Sequence, residues 1–188
     1  MKMKKITRFF TCSAIALSFF ASLNAKAQMP KLGVGLNAGL PTTDDYYKIA
    51  LGADLRLQFD VAKQLSIPFT LGYTNFVGKE VDMALVDLPA GVPYDNKVAN
   101  YDFIPVKGGL KYFFDKSGSG MYGLAEVGAA FGLTRYSKVG FLYSPALGYS
   151  WSTGFDLGLK YEAISGGLKE NKDNIGQIAV RVAYGFKL

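Results

Sequence analysis

From Tyr47 to Phe59 the chain alternates strictly between oily and polar or small residues. Tyr47, Ile49, Leu51, Ala53, Leu55, Leu57 and Phe59 fall on one side. Lys48, Ala50, Gly52, Asp54, Arg56 and Gln58 fall on the other. A β-strand sends successive side chains to opposite faces, so this period of two predicts a long strand with one apolar and one polar face. Few folds accommodate such a strand, and the pattern recurs along the chain.

The same alternation predicts seven further strands, at Lys31 to Leu40, Leu65 to Tyr73, Tyr101 to Phe114, Met121 to Leu133, Phe141 to Trp151, Phe155 to Glu162 and Ile175 to Leu188. Most have the ~9–11 residues or more that cross a bilayer at a ~45° tilt, where strands of soluble sandwiches run nearer ~5–6. The connections alternate too. Asp60 to Gln64, Asp115 to Gly120 and Ser152 to Gly154 are short turns. Pro41 to Tyr46, Phe76 to Asn100, Thr134 to Gly140 and Ala163 to Asn174 join the other ends, and two of these are long. Short turns on one rim and longer loops on the other suit an all-β, eight-stranded antiparallel up-and-down transmembrane β-barrel.

The first 27 residues stand apart from this pattern. Lys2, Lys4, Lys5 and Arg8 precede an uncharged stretch from Phe9 to Leu23, and Ala25-Lys26-Ala27 supplies small residues at a cleavage point. Residues 1–27 therefore read as a signal peptide cut after Ala27, and 28–188 as the barrel domain; an uncleaved anchor is the alternative. Cys12 lies within the apolar stretch, away from the cut, which argues against a lipid-anchored export signal. The formal charge of +6 largely belongs to this leader. It holds five of the 21 basic residues and none of the 15 acidic ones, so 16 basic residues face 15 acidic ones afterwards. No basic patch calls for nucleic acid, and with neither cysteine nor histidine, 28–188 offers no disulfide or thiolate metal site.

Alternation alone does not distinguish a membrane barrel from a soluble exported barrel that binds an apolar ligand, because the latter turns its oily face inward. Three details favour oily-outward. Glycines such as Gly33, Gly35, Gly52, Gly72, Gly109, Gly128, Gly148 and Gly158 sit on the polar face, where an eight-stranded lumen is crowded. Aromatic residues gather near strand ends, as headgroup-level girdles require. Tyr47, Tyr73, Tyr101, Tyr143 and Tyr161 are assigned to the outer rim. Tyr112, Phe114, Tyr122, Tyr149, Trp151, Phe155, Tyr184 and Phe186 are assigned to the inner one. Finally, Arg181, Phe186 and Leu188 resemble the terminal assembly signal of outer-membrane barrels, with Ala183 in place of its glycine.

Phe103-Ile104-Pro105-Val106 through Leu110-Lys111-Tyr112-Phe113-Phe114, and Leu157-Gly158-Leu159-Lys160-Tyr161-Glu162, look like recurrent strands of small outer-membrane barrels. On these the chain resembles the OmpA/OmpX/OmpW type and the porin-like "outer membrane protein beta-barrel domain" proteins. The resemblance implies an outer-membrane location, contact with outer-membrane lipid, and handling by periplasmic chaperones and the barrel-assembly machinery. It implies no activity, since such barrels serve many functions.

Catalysis is not expected. Most enzymatic outer-membrane barrels use a histidine base, and no strand carries two carboxylates on its polar face at i, i+2 spacing. No cofactor or metal is expected either. The polar faces carry Lys48, Asp54, Arg56, Lys107, Lys111, Glu126, Asp156, Lys160, Glu162, Arg181 and Lys187. Their mixed signs suit an interior ion-pair network that fills the barrel, and the competing reading is a narrow path for solutes or ions. The long loop holds Val81, Met83, Leu85, Val86 and Leu88 among acidic residues. These form either a contact surface for an envelope or extracellular partner or for the lipid headgroup layer, or a lid over the barrel mouth. The identity of that partner and the oligomeric state are not legible in the sequence.

Overall fold

A computed structural model describes residues 30–42, 46–80, 98–134, 137–167 and 174–188. Residues 1–27, expected to be a signal peptide, and the apolar loop residues Val81, Met83, Leu85, Val86 and Leu88 lie outside the described residues. The eight strands are β1 (Lys31–Pro41), β2 (Tyr47–Asp60), β3 (Leu65–Gly78), β4 (Tyr101–Phe113), β5 (Gly120–Gly132), β6 (Val139–Ser150), β7 (Phe155–Ser165) and β8 (Ile175–Lys187). Each pairs antiparallel with the next, and β8 returns to β1 with Leu36 opposite Val182, so the sheet closes on itself. Closure leaves no strand edge unpaired, which is the only way a sheet can satisfy its backbone in hydrocarbon.

The rim with the short turns is built by local chemistry. Gly118, Gly120 and Gly154 take φ of 71°, 93° and 98°, a region that costs a side chain but not glycine. The Ser117 N–H donates to Asp115 Oδ1 at 2.7 Å, a turn bond that holds this carboxyl below the usual carboxylate range. At the opposite rim β3 runs past its expected end at Tyr73 as far as Gly78, because Thr74 and Phe76 keep the inward parity of Thr70 and remain paired. Likewise β7 continues past Glu162 to Ser165.

The faces sort by chemistry. Leu36, Leu55, Leu71, Val106, Val127, Leu147, Leu159 and Val180 point outward and are exposed, while Asp54, Arg56, Lys107, Lys111, Glu126, Asp156, Lys160, Glu162 and Arg181 are buried inside. This reverses the usual order of a water-soluble domain, where charged residues are almost never fully buried unless paired. Around the outside near the short-turn rim, Tyr149, Trp151 and Phe155 form one aromatic run, with ring centroids 4.6 and 5.2 Å apart. Tyr184, opposite Phe155 in the ladder, and Phe186 sit beside it with their own ring centroids 4.9 Å apart. Tyr143 and Tyr161, 6.1 Å apart, mark the other rim.

Three girdle assignments are corrected. Tyr101 and Tyr122 are buried in the lumen. Each has the parity of an inward charge on its own strand, Lys107 for Tyr101 and Glu126 for Tyr122, so alternation itself turns them in. Tyr47 is inward for a different reason: an irregularity between Tyr47 and Ile49 shifts the register at the start of β2. An extra residue in one strand of a pair reverses the faces on either side of it. The same shift overturns the interior placement of Lys48. Its side chain is 50% exposed and approaches Glu80 at 4.0 Å on the rim.

Closely crossing strands explain two glycines. Gly109 lies opposite Glu126, and Gly128 opposite Lys107. A Cβ on Gly128 would collide with the Val106 carbonyl and Lys107 Cα; one on Gly109 would collide with the Ala125 carbonyl and Glu126 Cα. Backbone cannot yield as a side-chain tip can, so Gly128→Ala should cost about 1–3 kcal/mol, the range for overpacking a filled interior. Urea unfolding of the lipid-reconstituted barrel reads this as a lower midpoint at unchanged slope.

Candidate functional site

The lumen is crossed by two groups of ion pairs contributed by opposite walls. In the first, Arg181 on β8 grips Asp54 on β2 through Nη2 at 2.6 Å and Nε at 3.0 Å, and Asn37 on β1 donates to the same carboxylate at 2.7 Å. The guanidinium reaches on through Nη1 to Asp156 on β7, at 3.4 Å. Asp156 is also held by Lys111 from β4 at 2.8 Å and by the Tyr122 hydroxyl from β5 at 2.7 Å. The Lys111 ammonium sits 3.8 Å from the centre of the Tyr122 ring, a cation–π contact that helps a desolvated charge.

In the second group Lys107 on β4 bridges two carboxylates, Glu162 at 2.6 Å and Glu126 at 3.5 Å. Lys160 adds a bond to Glu162 at 3.3 Å, its neighbour on the same face of β7, and Gln177 donates to it at 2.9 Å. Glu126 accepts from Thr70 at 2.6 Å and from Arg56 Nη2 at 3.2 Å, while Arg56 Nε donates to Thr70 at 3.1 Å. Charges buried without such partners would cost several kcal/mol each, so pairing is the condition for placing them here.

Of the residues assigned to the interior from sequence, Asp54, Arg56, Lys107, Lys111, Glu126, Asp156, Lys160, Glu162 and Arg181 are thus brought together, and Lys48 is not. Lys187 lies exposed at the short-turn rim. Asn37, Thr70, Tyr122 and Gln177 complete the network and went unrecognised. Their parity with the charges was the available signal, but uncharged residues do not announce partners.

Beyond the charges, toward the long-loop rim, Tyr47, Phe76, Tyr101, Phe103, Leu142, Ile164 and Ile175 form a buried cluster inside the barrel, with Val98 packed against it. Phe76 meets Tyr47 edge-on at 5.5 Å and Phe103 at 6.0 Å. The sequence alone does not point to this apolar plug: Tyr47 and Tyr101 are assigned above to the outer girdle, and Phe76 and Ile164 to the loops. Toward the short-turn rim the lumen instead opens into two adjoining cavities of about 570 and 620 Å³, which share Lys31, Phe113, Ser117, Gly118 and Lys187. The lumen is therefore a blind vestibule on one side and a packed stopper on the other.

The arrangement can hold charge but shows no poised reactive group. Each of the four buried carboxylates already accepts from two or more donors. Among the described residues no cluster of three or more metal-ligating side chains occurs.

No family model and no curated protein sequence matches the chain. Solved structures do resemble it in fold. Ail, the attachment invasion locus protein of Yersinia pestis, matches with a TM-score of 0.54 at 14% identity, over 85% of this chain and 99% of that one. Its backbone structure in a phospholipid bilayer nanodisc matches at 0.53 and 13% identity, over 82% and 99%. The N-terminal β-barrel domain of Pseudomonas aeruginosa OprF matches at 0.51 and 12% identity, over 86% and 100%. The chain has the eight-stranded fold of small outer-membrane barrels.

Proposed function

We propose that this protein is an integral outer-membrane barrel without enzymatic activity. In this reading the barrel is an anchor, and the outer loops are the working surface for a structural or surface-interaction role. The observation that carries the reading is the reversal of the faces: a continuous oily exterior around a lumen tied across by ion pairs. Aliphatic side chains on an outer wall gain nothing from water and are at ease against lipid tails. Long strands, aromatic rims and short turns on the rim where β1 begins and β8 ends support the same placement. Against the soluble, apolar-ligand alternative stand the oily side chains on the outer wall and the charges that cross the lumen.

The loop bearing Val81, Met83, Leu85, Val86 and Leu88 is proposed as the principal contact segment, with a partner still to be identified. Ail, whose structure has also been determined with the heparin analogue sucrose octasulfate, is an example of such a fold engaging a ligand.

The rival reading is a small-solute pore. The struts Lys107–Glu162 and Lys111–Asp156 join opposite walls, and the aromatic plug stops one end. An eight-stranded interior is just wide enough for side chains to fill. Reconstituted protein in a planar bilayer should therefore give no steady single-channel steps, while membrane fractionation and a heat-dependent gel shift show an embedded folded barrel. Reproducible openings would overturn the anchor reading, and recovery in the soluble fraction would overturn the membrane placement.

A further inference from the structure

The buried charges do not balance. Among the described residues the buried cations are Arg56, Lys107, Lys111, Lys160 and Arg181, against the buried carboxylates Asp54, Glu126, Asp156 and Glu162. The imbalance has a location. Arg56 is only 5% exposed, its Nε and Nη2 are engaged by Thr70 and Glu126, and its Nη1 has no partner among the described residues. A guanidinium left partly unsatisfied in a desolvated site is costly. Arg56 also lines the vestibule at the short-turn rim, whose first cavity carries Lys31, Lys111 and Lys187 besides, against the single carboxylate of Asp156. That carboxylate is already taken by Lys111, Tyr122 and Arg181. Asp60, in the second cavity, is taken by Lys31, Gln58 and Ser66.

We infer that this vestibule is a binding site for a phosphate-bearing solute entering from the short-turn side, with Arg56 as its innermost donor. A tetrahedral oxyanion offers acceptor oxygens in several directions at once. The vestibule offers donors from several walls: Arg56 at its base, the ammonium groups of Lys31 and Lys187, and the hydroxyls of Ser117, Ser152 and Thr153 around the mouth. Charge-assisted bonds of this kind are about twice as strong as neutral ones. The plug at the far end makes the site a dead-end pocket rather than a station on a path. The site stands on the lumen's geometry and is independent of which loops meet a partner.

Gly33 supplies a test that leaves the ion pairs intact. It lies directly opposite Arg56 in the β1–β2 ladder. A Cβ there would meet nothing closer than the Arg56 carbonyl oxygen at 3.7 Å, so a side chain fits. Gly33→Asp would set a carboxylate beside the guanidinium and occupy the phosphate position from within. The experiment is calorimetric titration of the folded protein in alkyl maltoside micelles, which contain no phosphate, with inorganic phosphate in one arm and glycerol 3-phosphate in the other. Wild type should bind in at least one arm. The arm with the tighter binding identifies a free ion or a phosphomonoester as the source. Arg56→Met and Gly33→Asp should each weaken binding by roughly tenfold or more, and Gly33→Asp should also raise the unfolding midpoint while Gly33→Asn does so less. Absence of binding in both arms, or equal binding by wild type and a folded Gly33→Asp, overturns the inference.

Discussion

Leu159→Arg is expected to lower the stability of the lipid-embedded barrel by about 2–4 kcal/mol, the cost of an arginine near the bilayer midplane. Leu159 is an outward residue in the middle of β7, opposite Leu147 on β6 and Val180 on β8, both also outward. It is 55% exposed, so in a water-soluble protein the same change would fall within about ±0.5 kcal/mol. The difference between these two values is the contribution of the hydrocarbon. The penalty should shrink toward the rims, as the long arginine stem reaches the headgroups. Urea titration of protein folded into vesicles, with Phe155→Arg as the rim control, measures both. A cost near zero at Leu159 would mean that the oily wall faces water or another protein.

Glu162→Ala is expected to cost about 3–5 kcal/mol, as for removing one partner of a buried ion pair. Glu162 is the acceptor for Lys107, Lys160 and Gln177, so the truncation strands the Lys160 ammonium and leaves Lys107 with Glu126 alone, in a lumen where buried cations already outnumber buried carboxylates among the described residues. The effect should exceed that of Lys31→Ala, whose partially exposed pair with Asp60 at the rim resembles a surface bridge of about 0–1 kcal/mol. Replacing the three charges Lys107, Lys160 and Glu162 by oily residues of similar size, with Lys107→Met, Lys160→Met and Glu162→Leu together, should recover most of the loss. The single loss thus reports an unpaired charge, and the triple variant reports the net worth of these three charges. Equal destabilisation by the single and triple variants would assign the lumen's cohesion to something other than pairing.

Strand number, order and most strand ends were legible because a one-residue slip would move every side chain to the wrong face, so a two-sided barrel must write its register into the sequence. The nine charges that meet in the lumen were legible for the same reason. Their pairing was not: Lys107 and Glu162 are 55 residues apart, and alternation gives a face without giving the neighbour across the lumen. Tyr101 and Tyr122 share the parity of Lys107 and Glu126, and that parity decides their face over their position near strand ends. Lys48 and Tyr47 could not be placed this way, because a register shift leaves no mark in a pattern of residue types. The apolar plug eluded the reading through the assumption that a polar face stays polar along its whole length, whereas β3, β4, β6 and β7 turn Phe76, Phe103, Leu142 and Ile164 inward near one rim.

The most direct test exploits the lack of cysteine after Cys12. Single cysteines at Asp156, Leu157, Gly158, Leu159 and Lys160 of β7, each spin-labelled in vesicles, report in turn on lipid and on lumen. Labels at Leu157 and Leu159 should collide readily with oxygen dissolved in the hydrocarbon and stay shielded from a water-soluble nickel chelate, and the three positions between and beside them should lack that oxygen exposure. The opposite alternation, with 156, 158 and 160 in lipid, or chelate access at 157 and 159, would contradict the inside-out barrel.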